Sequence, residues 1–173
     1  ESIAAGGGVI AASGAQSQVS NDLATLAQIG DSATIVVDTL SMKSTHEQDF
    51  DAAADSYSIA ALSGSGAGID NEITSKANVS IGTNSSITAS SNIIIDAINR
   101  LTKDNFKNNY NLRTASASLA NISALASSTD IGTDSNGFEA VVDIGSGSQL
   151  TVIGSNASPG LIQIDALNEV TVF

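Results

Sequence analysis

A chain of 173 residues with 42% hydrophobic content can bury a sizeable core, and its length suits one domain spanning 1–173. Eighteen Asp+Glu against six Lys+Arg give a formal charge of −12, which argues against nucleic acid and against insertion into an anionic membrane. Cysteine and tryptophan are absent and aromatics make up 3%, so the core must come from Ile, Val and Ala, and chemistry that needs a thiolate is excluded.

Residues 1–18 (ESIAAGGGVIAASGAQSQ) read either as a close-packed β segment or as a flexible end. The chain starts at Glu1 inside a patterned stretch, with no charged-plus-apolar leader, and reads as a piece of a longer polypeptide. Within 20–29, Leu23 and Leu26 share a helical face. The match of Leu26–Ile29 to later copies favours strand instead.

A strand pair over 34–42 leads into the polar segment 43–55, which holds His46, Glu47, Asp49, Asp51 and Asp55. His and carboxylates ligate transition metals, but this spacing fits no ligand motif, and the segment reads as an exposed acidic loop. After a β stretch at 57–62, Gly66-x-Gly68-x-Asp70 resembles one turn of a calcium-binding nonapeptide, with Asp70 as the candidate ligand. That motif works only in tandem, so a plain glycine turn is expected here.

The central stretch 78–97 (NVSIGTNSSITASSNIIIDA) carries the most information. Val79 and Ile81 alternate with Ser80, small residues at 82–86 make a corner, Ile87 and Ala89 resume, and Ile93–Ile95 follow a second turn. Segment 99–113 then gathers Arg100, Lys103, Phe106, Lys107, Tyr110 and Arg113, a basic and aromatic set that reads as a solvated loop or short helix bulging from one coil, with nucleic-acid or glycan contact as the alternative that makes it a candidate partner-contact loop. Leu119, Ile122 and Leu125 have helical spacing, whereas SLANISALAS aligns with SIAALSGSGA (58–67) and argues for strand, the favoured of two open readings. At 129–137, Asp134, Asn136 and Gly137 fit a calcium loop, but Gly132 occupies its first ligand position. The final third alternates plainly through Val142, Ile144, Leu150, Val152, Ile164, Val170 and Val172, with Pro159 at a corner.

The Ile-Gly word, four small or polar residues and then Ile or Leu recurs at Ile29, Ile81 and Ile144, which are 52 and 63 residues apart. Each copy is followed by an Asp word: Val37-Asp38-Thr39-Leu40, Ile95-Asp96-Ala97-Ile98 and Ile164-Asp165-Ala166-Leu167. Irregular repetition of this kind is the signature of a β-solenoid with loop insertions, placed near 43–55 and 99–113. At ~20 residues per coil the chain makes about eight or nine coils, on the order of 40 Å of rod. Open end coils leave unpaired strand edges that need caps, flanking repeats or end-to-end self-association. Left-handed hexapeptide helices also space Ile by six, but they need that spacing unbroken.

Ala27-x-Ile29-Gly30-Asp31-x-Ala33-x-Ile35 and Val79-x-Ile81-Gly82-x-x-x-x-Ile87-x-Ala89 resemble the repeat region of large secreted bacterial adhesins. These are the filamentous-haemagglutinin-like exoproteins often exported by two-partner secretion. The resemblance covers roughly 2–165. It implies an all-β, right-handed parallel β-helix at the bacterial cell surface or outside the cell. It also implies adhesion or fibre formation, with a host or neighbouring-cell surface, glycans or matrix as partner.

No nucleophile–base arrangement, phosphate loop or zinc motif is legible, so the expectation is a non-catalytic structural or adhesive segment without a cofactor. Two alternatives stand. One is a β-helical polysaccharide-degrading enzyme, which needs clustered carboxylates on one strand face. The other is a calcium-stabilised solenoid, with Asp70 and Asp134 as its ligands. Asn-x-Ser sites at Asn78, Asn84, Asn121 and Asn156 fit glycosylation, although a chain this rich in Asn and Ser produces them by chance.

Overall fold

The computed structural model describes residues 2–103, 112–132, 137–155 and 158–173, and every regular element among them is a β-strand. Two sheets are built, and the chain passes through each of them three times. The first pass is β1 (Ser2–Ile29) and β2 (Thr34–Phe50), and the second is β3 (Ala54–Ile81) and β4 (Ser86–Lys103). The third pass is shorter-jointed: β5 (Leu112–Ala117), β6 (Ala120–Ile131), β7 (Phe138–Ile144), β8 (Gln149–Val152) and β9 (Leu161–Val172). β3 lies between β1 and the β5–β6–β7 row, β4 lies between β2 and the β8–β9 row, and every pair is parallel.

A 28-residue strand is several times the usual length, and the burial pattern shows how it is accommodated. In β1 the sheltered positions are even through Gly6 and odd from Ala11 onward, with 7–10 exposed between them. The strand therefore bends back on itself there. Gly6 permits the fold-back, because a Cβ at this position would stand 3.0 Å from the Ala12 carbonyl oxygen. A second exposed break at 22–24 marks another corner.

The Ile-Gly words stack on one another: Ile29 pairs with Ile81, and Ile81 with Ile144. Ile81 is 1% exposed and belongs to the main core with Val79, Ile87, Ile93 and Ile95, against which Ile29 packs. Ile144, on the uncovered third pass, is 37% exposed. A thinner core of Ala15, Ala52, Ala54, Ala67 and Ile69 fills the folded-back part, where Ser13 Oγ meets Ser56 Oγ at 2.8 Å. Phe50, Ile73 and Leu101 form a third cluster.

Several expectations change. Register offsets start at 52 residues (Ser2 with Ala54) and reach 69 (Asn92 with Leu161), so a pass takes more than twice the ~20 residues of the sequence estimate and only three are stacked. Single strands run on through these corners, so turns counted as coil ends lie inside single passes. The glycines at 64–68 are not a turn but the middle of β3, paired on both sides. Residues 20–29 and 120–131 are strand, and Ser58 pairs with Ser116, two residues from the alignment read in the sequence. Of the expected acidic loop, 43–50 is strand and only 51–53 lies between strands. In the expected basic loop, 99–103 and 112–113 are strand, and 104–111 lies outside the described residues.

Added residues enter at equivalent positions of successive passes. One extra residue enters opposite Asp38, where the β2–β4 register shifts between Val37 and Thr39. In the third pass eight residues, 153–160, separate β8 from β9 at the same place.

Candidate functional site

The repeated corner is the most highly organised polar feature. Its copies are Gly30–Ala33, Gly82–Ser85 and Gly145–Ser148, with a left-handed residue third in each: Ser32 and Asn84 at φ 55° and Gly147 at φ 75°. Successive copies bond through one scheme. Gly82 N donates to Ile29 O (2.8 Å) and Gly145 N to Ile81 O (2.7 Å). Ser85 Oγ donates to Gly30 O (3.0 Å) and Ser148 Oγ to Gly82 O (2.7 Å). Ser85 Oγ also accepts from Ala33 N (3.2 Å), as Ser148 Oγ does from Ser85 N (3.1 Å). Glycine is required in the upper two copies by the pass beneath. A Cβ on Gly82 would lie 2.6 Å from the Gly30 carbonyl carbon, and one on Gly145 would lie 2.6 Å from Thr83 N.

A second ladder runs through the interior. His46, Asn99 and Asn168 occupy one column. Asn99 Nδ2 donates to Ser75 O (3.1 Å) and Asn99 Oδ1 accepts from Ser75 Oγ (2.9 Å), while Asn168 Nδ2 donates to Phe138 O (2.6 Å). His46 is therefore a buried strand residue and not part of an exposed acidic loop; its Nε2 has no hydrogen-bond partner.

The basic residues are tied into the fold. Arg100 Nη1 reaches Glu47 at 3.0 Å and its Nε reaches Glu169 at 3.1 Å, joining all three passes in one column and raising the guanidinium above its ordinary value. Lys103 pairs with Asp51 at 3.0 Å and stands 5.4 Å over the Phe50 ring. Arg113 is an exposed β5 residue in register with Asp55. Phe106, Lys107 and Tyr110 lie outside the described residues. The expected contact loop is thus corrected at Arg100 and Lys103, which sit in β4 with carboxylate partners.

Of the calcium candidates, Asp70 is exposed on β3 between Gln18 and Ser128, and Asp134 lies outside the described residues. Among the described residues no three His, Cys, Asp or Glu side chains are grouped to hold a metal ion. The Asp words align only in part: Asp96 pairs with Asp165, but Lys43 occupies their column in the first pass. Asp38 sits at the register shift, where Ser90 and Ser91 hydroxyls donate to it at 2.7 Å each and lower its pKa.

Sequence reasoning missed an apolar ridge. Val9, Ile10, Ile59, Leu62 and Leu119 are exposed at the fold-back in all three passes, and Ile59 is 67% exposed although its strand is covered on both sides. The available signal was charge: no Asp, Glu, Lys, Arg or His occurs in 2–21, 56–69 or 114–129. Comparison of the chain with family models, curated proteins and solved structures found no match in any of the three.

Proposed function

We propose that this chain is a right-handed parallel β-helical segment of an extracellular bacterial adhesin or surface filament, acting as a stiff, non-catalytic shaft. The observation that carries the reading is the in-register stacking of three passes through one recurring corner. A backbone wound in this way directs its hydrogen bonds along the stacking axis and its insertions outward. Its attachment surface is the uncharged apolar ridge around Ile59 and Leu62, which offers a partner surface or glycan a contact free of the chain's own negative charge.

Beads coated with the chain should adhere to cells or to a glycan array, and Ile59→Ser with Leu62→Ser should reduce that adhesion. Adhesion equal to that of an unrelated acidic protein refutes the adhesive reading. Fibre diffraction or electron microscopy lacking a ~4.8 Å repeat along the particle refutes the shaft.

A further inference from the structure

One corner glycine meets no steric requirement among the described residues. Gly82 and Gly145 are needed because a Cβ would strike the backbone of the pass beneath, whereas a Cβ on the equivalent Gly30 meets nothing within 4 Å. Gly30 also lacks a positive φ, so its own conformation does not call for glycine. The first pass is shaped to rest on another corner, and none lies under it among the described residues. At the other end the third pass shows an uncovered cross-section of core, with Ile162, Ile164 and Val170 between 43% and 46% exposed.

We infer that a second copy of this chain occupies that end, its first pass stacked in register on the third pass of the copy beneath. The inference rests on the β-helical reading above. Repeating the internal translation once more sets Ile29 of the upper copy over Ile144, Ile35 over Leu150, Val37 over Val152, Leu40 over Ile162 and Met42 over Ile164. Five inward apolar columns therefore continue across the junction. Lys43 of the upper copy falls over Asp165, and Gly30 over Gly145, where Ser146 N takes the place that Thr83 N holds beneath Gly145.

The junction is weaker than the internal interfaces for two reasons on the same surface. Ala33 stands where Ser85 and Ser148 donate to the glycine carbonyl below, and Glu47 falls over Glu169. Such a head-to-tail contact uses two different faces and does not close, so it propagates as a filament. Association should be concentration-dependent and promoted by salt, which screens the −12 charge and the Glu47–Glu169 pair.

The test uses cysteine pairs in this cysteine-free chain together with Gly30→Ala. Gln28, Ser80 and Asp143 share an outward column, so Gln28 and Asp143 lie ~9.6 Å apart within one copy, beyond the ~7 Å limit for a disulfide, but ~4.8 Å apart across the junction. Oxidised Gln28→Cys/Asp143→Cys should give a ladder of dimers and higher species on a non-reducing gel, and the off-register Gln28→Cys/Thr151→Cys should not. Adding Gly30→Ala should abolish the ladder and the salt-dependent sedimentation of the parent chain while leaving its urea melt unchanged.

Gln28→Cys/Ser80→Cys separates the two claims, since it should close within one copy wherever the β-helical register holds. If that pair closes and Gln28→Cys/Asp143→Cys stays monomeric, the stacking proposal falls and the β-helix stands. If that pair does not close, the β-helical reading itself falls. A ladder that persists with Gly30→Ala, or appears with the off-register pair, also overturns the proposal.

Discussion

At the scale of single residues, the corner separates two kinds of glycine that look alike in sequence. Gly82→Ala places a methyl group against a fixed backbone and should cost about 1–3 kcal/mol, as overpacking does, whereas Gly30→Ala should be neutral in the isolated chain. Urea denaturation of the two variants checks the contrast, and equal losses would deny that the pass beneath sets the requirement. The interior ladder gives a second test. Asn99→Ala strips Ser75 of its side-chain partner in a fully buried site and should lower stability by about 1–3 kcal/mol. Asp38 supplies the pH-dependent term. Its pKa is depressed in the fold by two serine hydroxyls, so its stabilisation is present above the ordinary aspartate value of 3.8 and disappears as pH falls through the lower folded value. Asp38→Asn should therefore flatten part of the acid limb of a stability–pH curve measured by denaturant melts, with little change in the limb above pH 7.

The elements differ in how many neighbours they have, and this predicts their order of opening. β3 and β4 are bonded along both edges, while β6 and β9 are bonded along one and exposed along their length. Amide hydrogen exchange should find the deepest protection in β3 and β4 and the fastest opening in β6 and β9. Uniform protection across the three passes in the isolated chain would contradict the open edge. The β6 segment also shows why propensity misleads here. Leu119, Ile122 and Leu125 have helical spacing, yet twelve successive pairings with β3 hold Ala120–Ile131 extended. A neighbouring strand with its edge groups unpaired outweighs a three-residue periodicity.

For the whole molecule, charge is the opposing term. A net −12 is carried with few basic residues to offset it, so added sodium chloride should raise the melting temperature through screening. The Glu47–Arg100–Glu169 column works the other way: it is exposed, so salt should weaken it. Arg100→Met should steepen the rise with salt by leaving the two carboxylates without their shared cation.

Much of the architecture was legible in the sequence by itself. The all-β class, the extended state of 26–29 and the stacking of Ile29, Ile81 and Ile144 followed from one word repeated at offsets the strand pairing reproduces, because a buried inward column and a stacked glycine leave residue-level marks. Only the tertiary structure decided how much chain each pass consumes, because strand pairing runs on through a corner whose small apolar residues look in sequence like any other strand. It alone decided that Lys43, not Asp38, shares a column with Asp96, since one added residue at a register shift moves every later pairing without altering the local pattern. It also turned His46, Arg100 and Lys103 from loop candidates into strand residues, two of them tied to carboxylates, through partners roughly fifty or more positions away that no local motif records.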